Sequence, residues 1–231
     1  MKGENEFDHC QIRTLLYHRG LNNLTRYSIM AETSRTATKL IRLKVTLQGI
    51  RPPIWRRLLM PGGMTLGDLH LAVQTAMGWE DCHLHRFDIA DHGYGDPLSV
   101  DMVADEERLT LNGVVRSRVA RFRYTYDFGD DWEHVITIEG TQPALDGHTY
   151  PACVAGRRNC PPEDCGGCWG YQELLSALAD PDHPSRDEWI EMADDSFDPE
   201  AFSANAANAL LAIRFGQQGA TDGPSISMLD A

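Results

Sequence analysis

The sequence predicts an α+β domain on a mixed sheet. Three patterns carry that expectation: two stretches of strict period-two alternation that read as hairpins, a capped amphipathic helix between them, and helical periodicity confined to the C-terminal part. With 231 residues, 42% of them hydrophobic, the chain can bury one sizeable core, so a single domain over residues 40–215 is expected. Residues 1–39 show no sustained period and read as a flexible extension, with Met30 as an alternative start. Residues 216–231 have little to bury and read as a disordered tail.

In the first hairpin, Ile41, Leu43, Val45 and Leu47 share one face while Arg42, Lys44, Thr46 and Gln48 share the other. GIRPP at 49–53 supplies the turn, and residues 54–60 read as the returning strand. Thr65-x-x-Asp68 is a capping box in form. Leu66, Leu69, Val73, Ala76 and Met77 then recur at helical spacing before Gly78, a C-cap. His70 falls beside that stripe and reads as a surface or boundary residue. His85, Phe87 and Ile89 share a strand face, and short strands are expected around Leu109 and Val114.

The second hairpin alternates through Phe122, Tyr124, Tyr126 and Phe128, turns at Gly129-Asp130-Asp131, and resumes with Trp132, His134, Ile136 and Ile138. His134 therefore reads first as a core histidine. Three helices are expected after it: one through Tyr171, Leu174, Leu175 and Leu178, a short one opened by Ser185-x-x-Glu188, and one capped by Asp198-Pro199. The last would turn Phe202, Ala206, Ala209, Leu210 and Ile213 inward.

Between the second hairpin and those helices lies a loop holding four of the six cysteines: Cys153, Cys160, Cys165 and Cys168. It is rich in glycine and proline and has no apolar period, so something besides a local core is expected to fix it. A structural zinc is the reading taken, because Cys165-Gly166-Gly167-Cys168 lets two sulfurs face one ion. The wider spacing of the other pair leaves room for His134 to replace one thiolate. The same cysteines also fit reduced, unliganded thiols, or a redox pair at Cys165 and Cys168.

The formal net charge is -13, and beyond residue 39 the chain carries 15 basic against 30 acidic groups. Such a surface repels phosphate backbones, which disfavours non-specific nucleic-acid binding. A local patch of Trp55, Arg56 and Arg57, with Arg121 and Arg123, is the candidate exception. Residues 159–213 hold twelve acidic groups and one basic group, mostly solvated helix faces or else a surface for a basic partner. No run of eighteen apolar residues and no signal pattern is present, so a cytoplasmic protein without a membrane span is expected.

RPPIWRRL at 51–58, TLGDLHLAVQTAMGW at 65–79, YDFGDDWEH at 126–134 and CPPEDCGGCWGY at 160–171 together resemble the plasmid pRiA4b ORF-three-like family. The likeness runs in order over about residues 40–215. It implies a mixed α+β domain, compatible with a β-grasp-like strand-strand-helix-strand core. It also implies a pattern that includes Cys153, Cys160, Cys165 and His134, with Cys168 less regular. Some members carry the label of transposon resolvase. A serine resolvase needs an activated serine among arginines and a basic helical end, whereas this chain ends acidic.

The expected function is a non-enzymatic binding or adaptor module for a partner or ligand that the sequence does not name. One alternative is a metal-dependent hydrolase or nuclease using His134, Glu133, Asp130 and Asp131, although Glu133 and His134 must point to opposite faces of a strand. The other is a nucleic-acid-binding protein of a mobile element, acting through the basic patch.

Overall fold

The computed structural model describes residues 38–194 and 196–216. The chain enters the sheet as β1 (Lys39–Leu47), whose Ile41, Leu43, Val45 and Leu47 are buried as the alternation requires. It pairs antiparallel with β2 (Trp55–Pro61) on one side and β7 (Trp132–Pro143) on the other. The remaining strands are β3 (His85–Ile89), β4 (His92–Gly95), β5 (Ala104–Asp105), β6 (Arg121–Tyr126) and β8 (Ala152–Arg157). They complete one sheet in the order β5-β4-β3-β6-β7-β1-β2-β8, in which the β4/β5 pair is parallel.

Between β2 and β3 runs α1 (Leu66–Met77), which starts on the expected capping box. Thr65 Oγ1 accepts from the Asp68 N–H at 3.1 Å, and Asp68 Oδ2 accepts from the Thr65 N–H at 2.9 Å. Gly78 closes the helix at φ 94°, where a side chain would be strained. The strand-strand-helix-strand order is therefore present. β3, however, is separated from β1 by β6 and β7, because the long second hairpin occupies the middle of the sheet.

The segment expected as strands near Leu109 and Val114 is instead α2 (Leu111–Arg116), capped by Thr110 Oγ1 accepting from the Gly113 N–H. Leu111 and Val114 are both buried, and their three-residue spacing suits one helix face. The C-terminal helices are α3 (Gly167–Ala179), α4 (Arg186–Ala193) and α5 (Ala204–Gly216). Ser185 makes no side-chain cap. Asp198 and Pro199 do not start α5; Asp198 Oδ1 instead accepts from the Glu200 N–H in a separate turn. The buried residues of α5 are Ala207 and Leu211, so Ala206, Ala209, Leu210 and Ile213, expected inward, are exposed instead.

Alternate side chains of β3, β6, β7, β1 and β2 are buried, while those between them are half-buried or exposed except for Leu40 and Leu59, which are buried at one end of β1 and β2. The sheet thus has one covered and one open face. No helix among the described residues is long and apolar enough to cross a membrane. Of the expected extension, residues 1–37 lie outside the described residues, and Lys39 already belongs to β1. Of the expected tail, residues 217–231 also lie outside them.

Candidate functional site

The structure does not gather the predicted cysteine cage. Among the described residues, no three ligand atoms of Cys153, Cys160, Cys165, Cys168 and His134 lie within 4.8 Å of one another. The reason is that each thiol fills a separate packing position, as a small apolar side chain does. Cys153 sits on β8 opposite Leu58. Cys160 lies against Met77 and accepts from Arg56 Nη2 at 3.2 Å. Cys165 is buried where α3 begins, and Cys168 rests against Gly49 with its thiol 3.6 Å from the Gln48 carbonyl. All four are free thiols. Burial pushes Cys160 up to about 11 despite the nearby Arg56, and Cys165 up to about 12 with help from Asp130.

The nucleic-acid patch is also divided. Arg56 is buried, with Nε donating to the Ala76 carbonyl at 2.8 Å and Nη1 to those of Trp55 and Arg157. Its guanidinium lies 4.4 Å from the centre of the Phe202 ring, so it is an internal brace and touches no solvent-borne ligand. Trp55 and Arg57 point the other way, to the open face. There the register aligns two rows across the sheet. One runs Arg121, Thr137, Lys44, Arg57 and Ala155; the other runs Arg123, Val135, Thr46, Trp55 and Arg157.

Arg57 forks onto Glu139 at 2.7 and 2.9 Å, and Arg123 pairs with Glu133 at 2.8 Å. Lys44 Nζ and the Arg57 guanidinium lie 4.9 and 5.1 Å from the Trp55 ring centre. Among the described residues, Lys44, Arg121 and Arg157 form no ion pair within 4.0 Å, although the hydrogen bonds and charge of Arg57, joined by the charges of Arg42 and Lys44, hold Glu139 below the usual carboxylate range. Glu133 is spent on Arg123, Asp130 accepts from the Gly166 N–H at 3.0 Å, and His134 faces the core, so the hydrolase set is not assembled either.

Beneath the covered face lies a histidine array that sequence reasoning only partly saw. The His70 and His85 rings stack at 3.5 Å with an interplanar angle of 7°. His70 is buried, and its two nitrogens meet Tyr124 Oη and Asp81 Oδ1, both at 2.7 Å. Because Gln74 Nε2 donates to Tyr124 Oη, the phenol is free to donate to His70 Nδ1, which leaves His70 Nε2–H to donate to Asp81. His85 Nε2 meets Glu106 Oε2 at 2.8 Å. Burial, then the charge of His85, lowers His70 to about 4 against the pull of Asp81. His134 is the core residue its alternation indicated. Neither of its nitrogens makes a hydrogen bond of ordinary geometry, and burial lowers it to about 4 although the nearby Tyr124 and Trp132 backbone favours its charge.

Where the cysteine-rich loop meets the end of β6, a second cluster forms. His83 Nε2 lies 3.0 Å from Asp164 Oδ1, 3.8 Å from Asp127 Oδ2 and 4.0 Å from Glu163 Oε2. The loop is held there by polar bonds from elsewhere in the fold. Trp79 Nε1 donates to the Pro161 carbonyl at 2.9 Å, while the Glu80 N–H and Tyr126 Oη donate to Glu163 Oε1 at 2.8 and 3.0 Å. Sequence reasoning passed over His83, Asp127, Glu163 and Asp164, whose meeting depends on strand order rather than on any local spacing.

The profile of the family described as Plasmid pRiA4b ORF-3-like protein matches residues 39–206. The chain is 44% identical to Uncharacterized protein y4hQ of Sinorhizobium fredii over 168 residues, covering 71% of this chain and 86% of that one. It is also similar to the crystal structure of MM3350, a protein of unknown function from Methanosarcina mazei Go1. That likeness has a TM-score of 0.69 and 38% identity, covering 74% of this chain and 98% of the other. The motifs, the mixed sheet and these matches agree, and the chain belongs to the plasmid pRiA4b ORF-3-like family.

Proposed function

We propose that this protein is a binding module whose open sheet face receives an acidic segment of a partner protein. The observation that carries this reading is the pair of basic rows, five strands wide, on a chain of net charge -13. At strand spacings of about 4.8 Å they span roughly 19 Å, the reach of an extended peptide of about six residues. Glu139 and the Trp55 ring hold Arg57 in place, so part of the ordering cost is met before a partner arrives.

Two arguments favour a short acidic segment over a nucleic acid. A long polyanion would meet the acidic remainder of the surface, whereas a short segment sits within a Debye length of about 8 Å of the basic rows. Trp55 also has Lys44 and Arg57 packed over its ring, where a stacking base would have to displace them. Fluorescence anisotropy with a labelled Asp/Glu-rich peptide tests the reading. Binding that weakens with salt and falls at least tenfold in the Lys44→Glu, Arg121→Glu double variant supports it. No binding at low salt, unchanged affinity in the variant, or tighter binding of a single-stranded oligonucleotide of equal charge refutes it.

A further inference from the structure

We infer that His83, Asp127, Glu163 and Asp164 form a binding site for one divalent transition-metal ion of the zinc class, bridging the cysteine-rich loop to the end of β6. This rests on the cluster alone and is independent of the sheet-face reading.

The separations suit an ion. Tetrahedral ligands with bonds of about 2.1 Å stand about 3.4 Å apart. The three distances from His83 Nε2 run from 3.0 to 4.0 Å, so sub-ångström shifts would close the shell. Each inner carboxylate has one oxygen fixed by the protein and the other left toward His83. Asp127 Oδ1 accepts from the Gly129 N–H at 2.8 Å, while its Oδ2 stands at 3.8 Å, too far for a hydrogen bond. The Asp127 side chain is only 9% exposed, so that oxygen has little water to turn to. Glu163 Oε1 takes two hydrogen bonds, while its Oε2 is buried and has none. Such outer hydrogen bonds are the usual means of aiming metal ligands.

Three carboxylates around one imidazole leave an excess of negative charge that a dication would neutralise. Asp164, 74% exposed, stands on the solvent side and marks the entry path. The mixture of imidazole and carboxylate selects a borderline ion over calcium, which prefers six or more oxygens. At this site the ion would do for the loop what the cysteine spacing had suggested, with nitrogen and oxygen ligands in place of sulfur.

The test is calorimetric titration of the metal-free full chain with zinc, and separately with calcium, together with melting curves in zinc and in chelator. One zinc per chain is expected, with a rise in melting temperature that chelator reverses and no comparable heat from calcium. His83→Ala and Asp164→Asn should each weaken zinc at least tenfold, while Cys160→Ala retains it. Asp164→Asn alters an exposed side chain, so a loss there cannot be ascribed to misfolding. No stoichiometric zinc uptake, unchanged uptake in both site variants, or a loss confined to Cys160→Ala would overturn the assignment.

Discussion

At the scale of single residues, burial decides chemistry more than residue type does. His70 and His134 each sit at about 4, against 6.5 for an ordinary imidazole, chiefly because the interior disfavours their charge. The unfolded chain therefore takes up these protons first as the pH falls. Stability from the two groups is full above about pH 6.5 and is lost progressively down to about pH 4, by about 3 kcal/mol per group. His134→Phe replaces an unbonded buried imidazole with an apolar ring, so urea unfolding at pH 4.5 and 7 should show a smaller acid loss than in the wild type. An unchanged acid loss would mean that His134 does not titrate with folding. His134 was legible as a core residue from its alternation with Trp132 and Ile136. The role of His70 was not, because its partners Asp81 and Tyr124 come from separate elements.

Among the elements, the cysteine-rich loop departs most from what its composition implies. Glycine, proline and four thiols suggested a segment without a core of its own, yet Cys160, Cys165 and Tyr171 are part of the main core. Gly170 shows how closely the loop is packed, since any Cβ there would run into the Cys165 carbonyl. Gly170→Ala should therefore destabilise by about 2 kcal/mol or more, although alanine is favoured over glycine inside a helix by about 1 kcal/mol. Thermal unfolding of the variant checks this, and a raised melting temperature would contradict the packing account. The hairpin strands and the α1 caps were readable because period-two alternation and capping boxes are local. The start of α5 was not, since Asp198-Pro199 makes an equally good turn and only packing against α1 and β8 selects the later start.

On the scale of the whole molecule, charge is segregated. The basic rows lie on the open sheet face, while the chain from 159 to 213 is almost wholly acidic in its ionisable groups. The alternation of Arg42, Lys44 and Thr46 already marked an outward face, and Arg121 and Arg123 marked another. That they form one surface follows only from β7 lying between β6 and β1. The same long-range order brings His83 to Asp127 and Glu163. The most direct measurement is a nitrogen-edited NMR titration of the protein with the Asp/Glu-rich peptide. The account predicts shifts concentrated at Lys44, Arg121, Arg157 and the Trp55 indole N–H; shifts confined to the helices of the covered side, with the sheet-face signals unmoved, would contradict it.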